Sequence, residues 1–297
     1  MQARFALIGL VFLAPLVGLI SRAEPAAAAP AGLYEGHVVS SSPPDPDAAI
    51  PLDPARLADR LRKTRESLQG AIDRWRAEGD PRDGTPREVT LYALHEQRIY
   101  VLLTSRRHQA RNVLDRLQGS VAAEARDILA ARRALAALAS PAPRRRFRTG
   151  PAKPAGVLLR YYRKAERRFG VSWKVLAAVN FVESAFGRMR NKSSAGAQGP
   201  MQFIPSTWDA YGMGGDIQDP HDAIMGAANY LHASGAPENN RRALYAYNPS
   251  RAYVNAVLSY ARRMRRDRHR YFAFHSWQVF VHTPSGIVRI TGPGLDR

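Results

Sequence analysis

Apolar residues that return every three or four positions constrain this chain more than any other feature. Leu57, Leu61, Leu68, Ile72 and Trp75 recur at spacings of three, four or seven, and Leu91, Leu94, Ile99, Leu102, Val113, Leu114 and Leu117 continue in the same style. That period turns one face of a helix toward a core. Between the two runs, residues 80–86 read Asp-Pro-Arg-Asp-Gly-Thr-Pro, a sequence that ends one helix before the next begins. Residues 55–139 are therefore expected to form a helical hairpin or small bundle, and they carry no acid pair, metal-ligand spacing or glycine loop. Residues 140–154, rich in proline and arginine, read as a linker between units. Helical patterning resumes over residues 155–270. The last stretch, 271–297, changes character: residues 277–282 and 287–290 look like two short strands around Thr283-Pro284-Ser285-Gly286, a β-hairpin extension.

The N-terminus points to export. Arg4 precedes an apolar stretch over residues 6–20, and small residues follow to position 30. This order predicts a signal peptide over residues 1–30, or a membrane anchor if it is not cleaved. Residues 31–54, rich in alanine, proline, serine and aspartate, read as a disordered spacer. The body of the protein is then expected outside the cytoplasmic membrane, secreted or in the cell envelope. No cysteine is present, which excludes disulfides, thiolate metal sites and a cysteine nucleophile.

The formal net charge is +19, and only five of the 44 basic residues are lysine (Lys63, Lys153, Lys164, Lys174 and Lys192). GC-rich codon usage accounts for such an arginine bias. A surface of this sign also attracts polyanions, with anionic wall polymers a fitting partner. The arginines are scattered and accompany no recognition motif, which argues against nucleic acid.

One carboxylate stands out. A strong helix follows Ser172, a suitable N-cap, and carries Val175, Leu176, Val179 and Asn180 on the face that ends at Glu183. A carboxyl at the end of a mostly apolar stripe is desolvated, so its pKa is expected above the usual ~4.3. A general acid working near neutral pH needs that environment. A helix-end glutamate pointing into water is the plain alternative. Ten residues beyond this helix comes a small-residue segment, Ser193-Ser194-Ala195-Gly196-Ala197-Gln198-Gly199-Pro200-Met201-Gln202-Phe203-Ile204-Pro205. Its glycines permit close backbone approach, Gln202 offers both donor and acceptor, and Pro205 is placed to start a helix.

Taken in order, Glu183-Ser184, the Gly196 to Pro205 segment and Ala246-Tyr247-Asn248 resemble the three-motif signature of lytic transglycosylases with a goose-type-lysozyme-like fold, of the secreted type found in GC-rich bacteria. The resemblance covers roughly residues 155–265. It implies a mainly α architecture, with a lysozyme-like helical catalytic domain preceded by the helical hairpin or bundle and followed by the short C-terminal β-hairpin. It also implies a groove for the peptidoglycan glycan strand and no cofactor or metal. Glu183 matches the catalytic glutamate, which would protonate the bond after N-acetylmuramic acid and then accept the proton of that sugar's C6 hydroxyl, giving a 1,6-anhydro end. Ser184, Gly199, Met201, Gln202, Tyr247 and Asn248 match groove positions. There Tyr247 is expected to hold the acid by a hydrogen bond, and Asn248 either contacts sugar or closes a helix. The third motif continues Pro249-Ser250 where many relatives read Ala-Gly, which reshapes that loop.

Asp216, Asp219, His221 and Asp222 lie close enough in sequence to suggest a metal site, but Asp219 before Pro220 reads as a helix cap. Two other functions remain open at this point. Water in place of the C6 hydroxyl would give a muramidase, and a degenerate site would leave a wall-binding scaffold.

Overall fold

The computed structural model describes residues 42–295. The expected signal peptide or anchor (residues 1–30) and the first part of the spacer lie outside the described residues. Among the described residues no helix is long and apolar enough to cross a membrane. The fold is mainly helical, as expected, with one two-stranded sheet.

Helix α1 (Pro54–Glu78) begins where Asp53 accepts a hydrogen bond from the Arg56 amide at 2.9 Å, with Pro54 in the first turn. It buries the expected stripe, Leu57, Leu61, Leu68, Ile72 and Trp75. Helices α2 (Arg87–Ser105), α3 (Arg107–Leu114) and α4 (Gly119–Ala136) complete the first half. The second half comprises α5 (Ala155–Phe169), α6 (Trp173–Ser184), α7 (Pro205–Tyr211), α8 (Pro220–Ala233), α9 (Asn240–Tyr247), α10 (Arg251–Arg266) and α11 (His269–Ser276). Ser172 sits at the start of α6 as expected, but its side chain makes no capping bond. Glu166 takes that role, accepting from the Trp173 amide at 3.1 Å.

The two halves share one core, so the expected separation of residues 55–139 from the rest gives way to a single packed body. Helix α10 lies against both α4 and α6. Apolar residues of α1, α2 and α4 belong to the same buried cluster as those of α5, α6, α8, α10 and α11. A buried ionic joint reinforces the seam: Arg270 of α11 reaches Glu96 of α2 at 2.8 Å and Glu124 of α4 at 3.3 Å. The region without catalytic residues thus has a structural chemistry of its own. The expected linker is a strap bound to the surface. Thr149 forms an isolated antiparallel bridge with Met189, the Arg190 amide donates to Arg148 O at 2.9 Å, and the Ala142 amide donates to His282 O at 2.9 Å. The described end of the spacer is also held, with Arg98 donating to Ala48 O at 2.7 Å and Asp47 paired to Arg289 at 3.3 Å. These backbone groups find protein partners in place of water.

The C-terminal hairpin forms as β1 (Phe280–Thr283) and β2 (Gly286–Arg289), antiparallel, with Val281 opposite Val288. It starts later than residue 271. Tyr271, Phe272, Phe274 and Trp277 are buried in the helical core, and α11 carries the chain to Ser276. Gln97 and Gln278 then clamp the start of the hairpin: the Gln97 side chain donates to Gln278 O and accepts from its amide, both at 2.7 Å.

Candidate active site

Glu183 lies in the last turn of α6 and is 9% exposed. The apolar face predicted for that helix is present, since Val175, Leu176, Val179 and Asn180 are all buried. Burial pushes the Glu183 carboxyl up to about 8, partly offset by the Tyr253 hydroxyl beside it. The C-terminal end of a helix dipole also disfavours a negative charge there. Burial and the Tyr253 hydroxyl are the two influences on its titration. At neutral pH the side chain is therefore mostly the neutral acid.

Beyond Glu183 the backbone turns sharply. Ala185 and Phe186 both adopt left-handed conformations (φ 51° and 62°), and the Phe186 amide donates to Asn180 O at 3.2 Å. Ser184 is fully buried and does not face a groove. Its hydroxyl donates to Pro200 O at 2.5 Å and accepts from the Gly187 amide at 2.8 Å. It therefore fastens the end of α6 to the 196–205 segment, a role in place of the expected sugar contact. That segment closes on itself: Gln198 and Phe203 exchange two backbone hydrogen bonds, each 2.9 Å. Gly199, at φ +76°, packs so tightly that a Cβ would overlap Ile217 O. Gln202 adopts φ 51° and donates to Gly199 O at 3.0 Å and Asn191 O at 3.2 Å.

Met201 is likewise buried, so its side chain supports the turn from behind. Its carbonyl accepts the Tyr247 hydroxyl at 2.7 Å. Tyr247 was expected to hold the acid directly; instead its hydrogen bond fixes the turn. Burial raises its phenol, and proximity to Glu183 adds to the shift. An aromatic row of Phe203, Tyr247, Tyr230 and Tyr211, with neighbouring ring centroids 4.7–5.8 Å apart, backs this residue. Asn248 is half-buried at the end of α9, and its amide donates to Leu244 O at 2.9 Å, which is helix closure. After Pro249, Ser250 caps α10 by accepting from the Tyr253 amide at 3.3 Å. The Pro-Ser variant of the third motif thus starts the helix that brings Tyr253 to the acid.

Tyr253 lies outside the three sequence motifs. It is fully buried, and its hydroxyl lies beside the Glu183 carboxyl, whose carboxylate form it favours. Its position three residues after a serine cap could have drawn notice; its type alone could not. The site therefore assembles Glu183, Tyr253, Tyr247 and the 199–202 turn.

Asp219, His221 and Asp222 converge, but each is engaged. Asp219 caps α8, accepting from the His221 and Asp222 amides at 2.8 and 3.1 Å, as predicted. His221 Nδ1 meets Asp222 at 2.9 Å, and its Nε2 meets Lys164 Nζ at 3.0 Å. An ammonium at that nitrogen opposes a divalent ion.

Residues 160–269 match the family model described as Transglycosylase SLT domain. Over 105 residues the chain is 28% identical to a protein described as membrane-bound lytic murein transglycosylase F from Thiobacillus denitrificans. That match covers 33% of this chain, which spans only 22% of the relative's length. No solved structure matches.

Proposed function

From the match of residues 160–269 to the Transglycosylase SLT domain model, we propose that this protein cleaves peptidoglycan glycan strands without water, using Glu183 as acid and then as base. The carboxyl of Glu183 donates its proton to the oxygen of the β-1,4 bond between N-acetylmuramic acid and N-acetylglucosamine. The C1–O bond breaks, and N-acetylglucosamine leaves with its 4-hydroxyl restored. The Glu183 carboxylate then takes the proton of the muramic C6 hydroxyl as that oxygen bonds to C1. The product is a 1,6-anhydro end, and Glu183 is protonated again. Because the nucleophile belongs to the substrate, positioning supplies much of the rate.

The observation that carries this reading is a buried carboxyl raised to about 8 with no second carboxylate acting on it. A retaining glycosidase places a partner carboxylate about 5–5.5 Å away. Tyr253 is placed to donate to Glu183 once it becomes a carboxylate, while Tyr247 and Ser184 hold the 199–202 turn against the acid. The enzyme works in this reading outside the cytoplasmic membrane, where its substrate is.

Mass spectrometry of the fragments released by the purified protein tests the proposal. Ends one water lighter than hydrolysed ends are expected, and they vanish in Glu183→Gln. Fragments that carry the added water would replace the reading with hydrolysis.

A further inference from the structure

Residues 146–150 of the strap and residues 188–192 after α6 run antiparallel as a short ribbon. Thr149 bridges Met189, the Gly150 amide donates to Arg188 O at 2.9 Å, and the Arg190 amide donates to Arg148 O at 2.9 Å. The Asn191 side chain continues the pairing, accepting from the Arg148 amide at 2.7 Å and donating to Arg146 O at 2.6 Å. Successive side chains on such a ribbon point to opposite faces. Phe147 and Met189 turn inward and join the apolar cluster of Phe280 and Val281 in β1. Arg146, Arg148, Arg190 and Lys192 alternate with them and are exposed.

The register sets Arg148 opposite Arg190, and opposite residues on a ribbon lie ~5 Å apart. Like charges in that arrangement destabilise it. Nothing in the chain relieves them: among the described residues none of the four cations makes an ion pair. No aspartate or glutamate occurs in residues 128–165 or 184–208. Arg144 and Arg145, also exposed, add to the same strap. By contrast Arg62 and Arg268, equally exposed, face Glu66 at 3.1 Å and Asp73 at 3.3 Å. The ribbon thus concentrates one sign of charge where packing alone gives no reason for it, and such a surface favours a polyanion.

Arginine forks pair with two phosphate oxygens at once, so phosphates repeating along a chain suit cations repeating along a ribbon. A bilayer surface is held best where apolar side chains enter it, and single-stranded nucleic acid where aromatic faces receive its bases. The ribbon offers neither, because Phe147 and Met189 face the core. We infer that the ribbon of residues 146–150 and 188–192 binds a phosphodiester polymer without bases, a polyol phosphate of the wall. The contact tethers the protein through a surface separate from Glu183, and it does not rest on the proposed cleavage.

The test titrates the full-length protein with purified poly(glycerol phosphate) by calorimetry over a range of salt. Binding that weakens as salt rises is expected. Arg148→Glu with Lys192→Glu should weaken it at least tenfold. Arg106→Glu with Arg107→Glu, the same change of net charge beside the start of α3, should weaken it less than about threefold, as long-range attraction alone allows. The bonds at Arg148 run through its backbone and the Lys192 side chain makes none, so the ribbon is expected to fold in these variants. The milder pair Arg148→Ala with Lys192→Ala should reduce the slope of log K against log salt by about 1.4, at ~0.7 per cation removed. Absence of binding, equal weakening by the two charge-reversing pairs, or an unchanged slope overturns the inference. Tighter binding to phosphatidylglycerol vesicles, or to an oligonucleotide with as many phosphates, overturns it in favour of a membrane or of nucleic acid.

Discussion

Glu96 on α2 and Glu183 on α6 are both buried, yet one faces a cation and the other does not. Around Glu96, burial alone would lower the Arg270 guanidinium. The carboxylates of Glu124, Glu96 and Asp267 outweigh it and hold Arg270 above the usual arginine range. Burial raises Glu96 as well, with the Arg270 guanidinium opposing the shift, and the cluster joins α2, α4 and α11. Around Glu183 no cation opposes the desolvation, and the group keeps its proton at neutral pH. The same residue type at similar burial is held by an arginine in one place and left without one in the other. What differs is whether a guanidinium shares the cavity and opposes the desolvation.

The largest effect is expected from breaking the joint. Arg270→Met leaves Glu96 buried without its ion-pair partner, while Glu124 keeps Arg65 at 3.0 Å, and should cost about 3–5 kcal/mol, read as a lower urea midpoint. Glu183→Gln should do the reverse. The folded-state value of Glu183 is raised from 4.5 to about 8, so the native state keeps a proton that the unfolded chain releases between those values. Wild-type stability therefore falls as pH rises through that window. The variant escapes the loss, matching wild type near pH 4 and gaining at most about 5 kcal/mol by pH 9 at ~1.4 kcal/mol per pKa unit. Urea unfolding at both pH values checks the sign. Were Arg270→Met harmless and Glu183→Gln destabilising, the contrast between the two carboxylates would fail.

Two smaller changes sharpen it. Tyr247→Phe removes the bond to Met201 O and should cost about 1 kcal/mol. It should also slow cleavage by loosening the 199–202 turn, while the pH dependence of the rate stays where it was. Tyr253→Phe removes the one group that lowers Glu183. The alkaline fall in activity, expected near pH 8 in wild type, should then move to higher pH. An unchanged profile would show that Tyr253 does not act on the acid.

Much of this contrast was legible in the sequence, and the remainder was hidden for physical reasons. The stripe ending at Glu183 announced a desolvated acid because helical period alone places Val175, Leu176 and Val179 beneath it. The Gly199 turn and the Asp219 cap were equally local. The Arg270 joint was not readable, since an apolar stripe does not name its partner and Glu96 and Arg270 are 174 residues apart. Nor could type and spacing tell that Ser184 and Met201 face inward. Both lie in the motifs that carry the family resemblance, and only the folded chain, with its left-handed turn at Ala185 and Phe186, shows that they point inward. Tyr253 lies outside the three motifs, and residue type alone does not mark one tyrosine among twelve.

The account turns on the protonation of one side chain. The carboxyl carbon of Glu183, followed by NMR against pH in ¹³C-labelled protein and assigned by its loss in Glu183→Gln, should titrate near 8. A midpoint close to the ordinary glutamate value of ~4.3 would mean that the group is ionised at neutral pH and cannot be the acid.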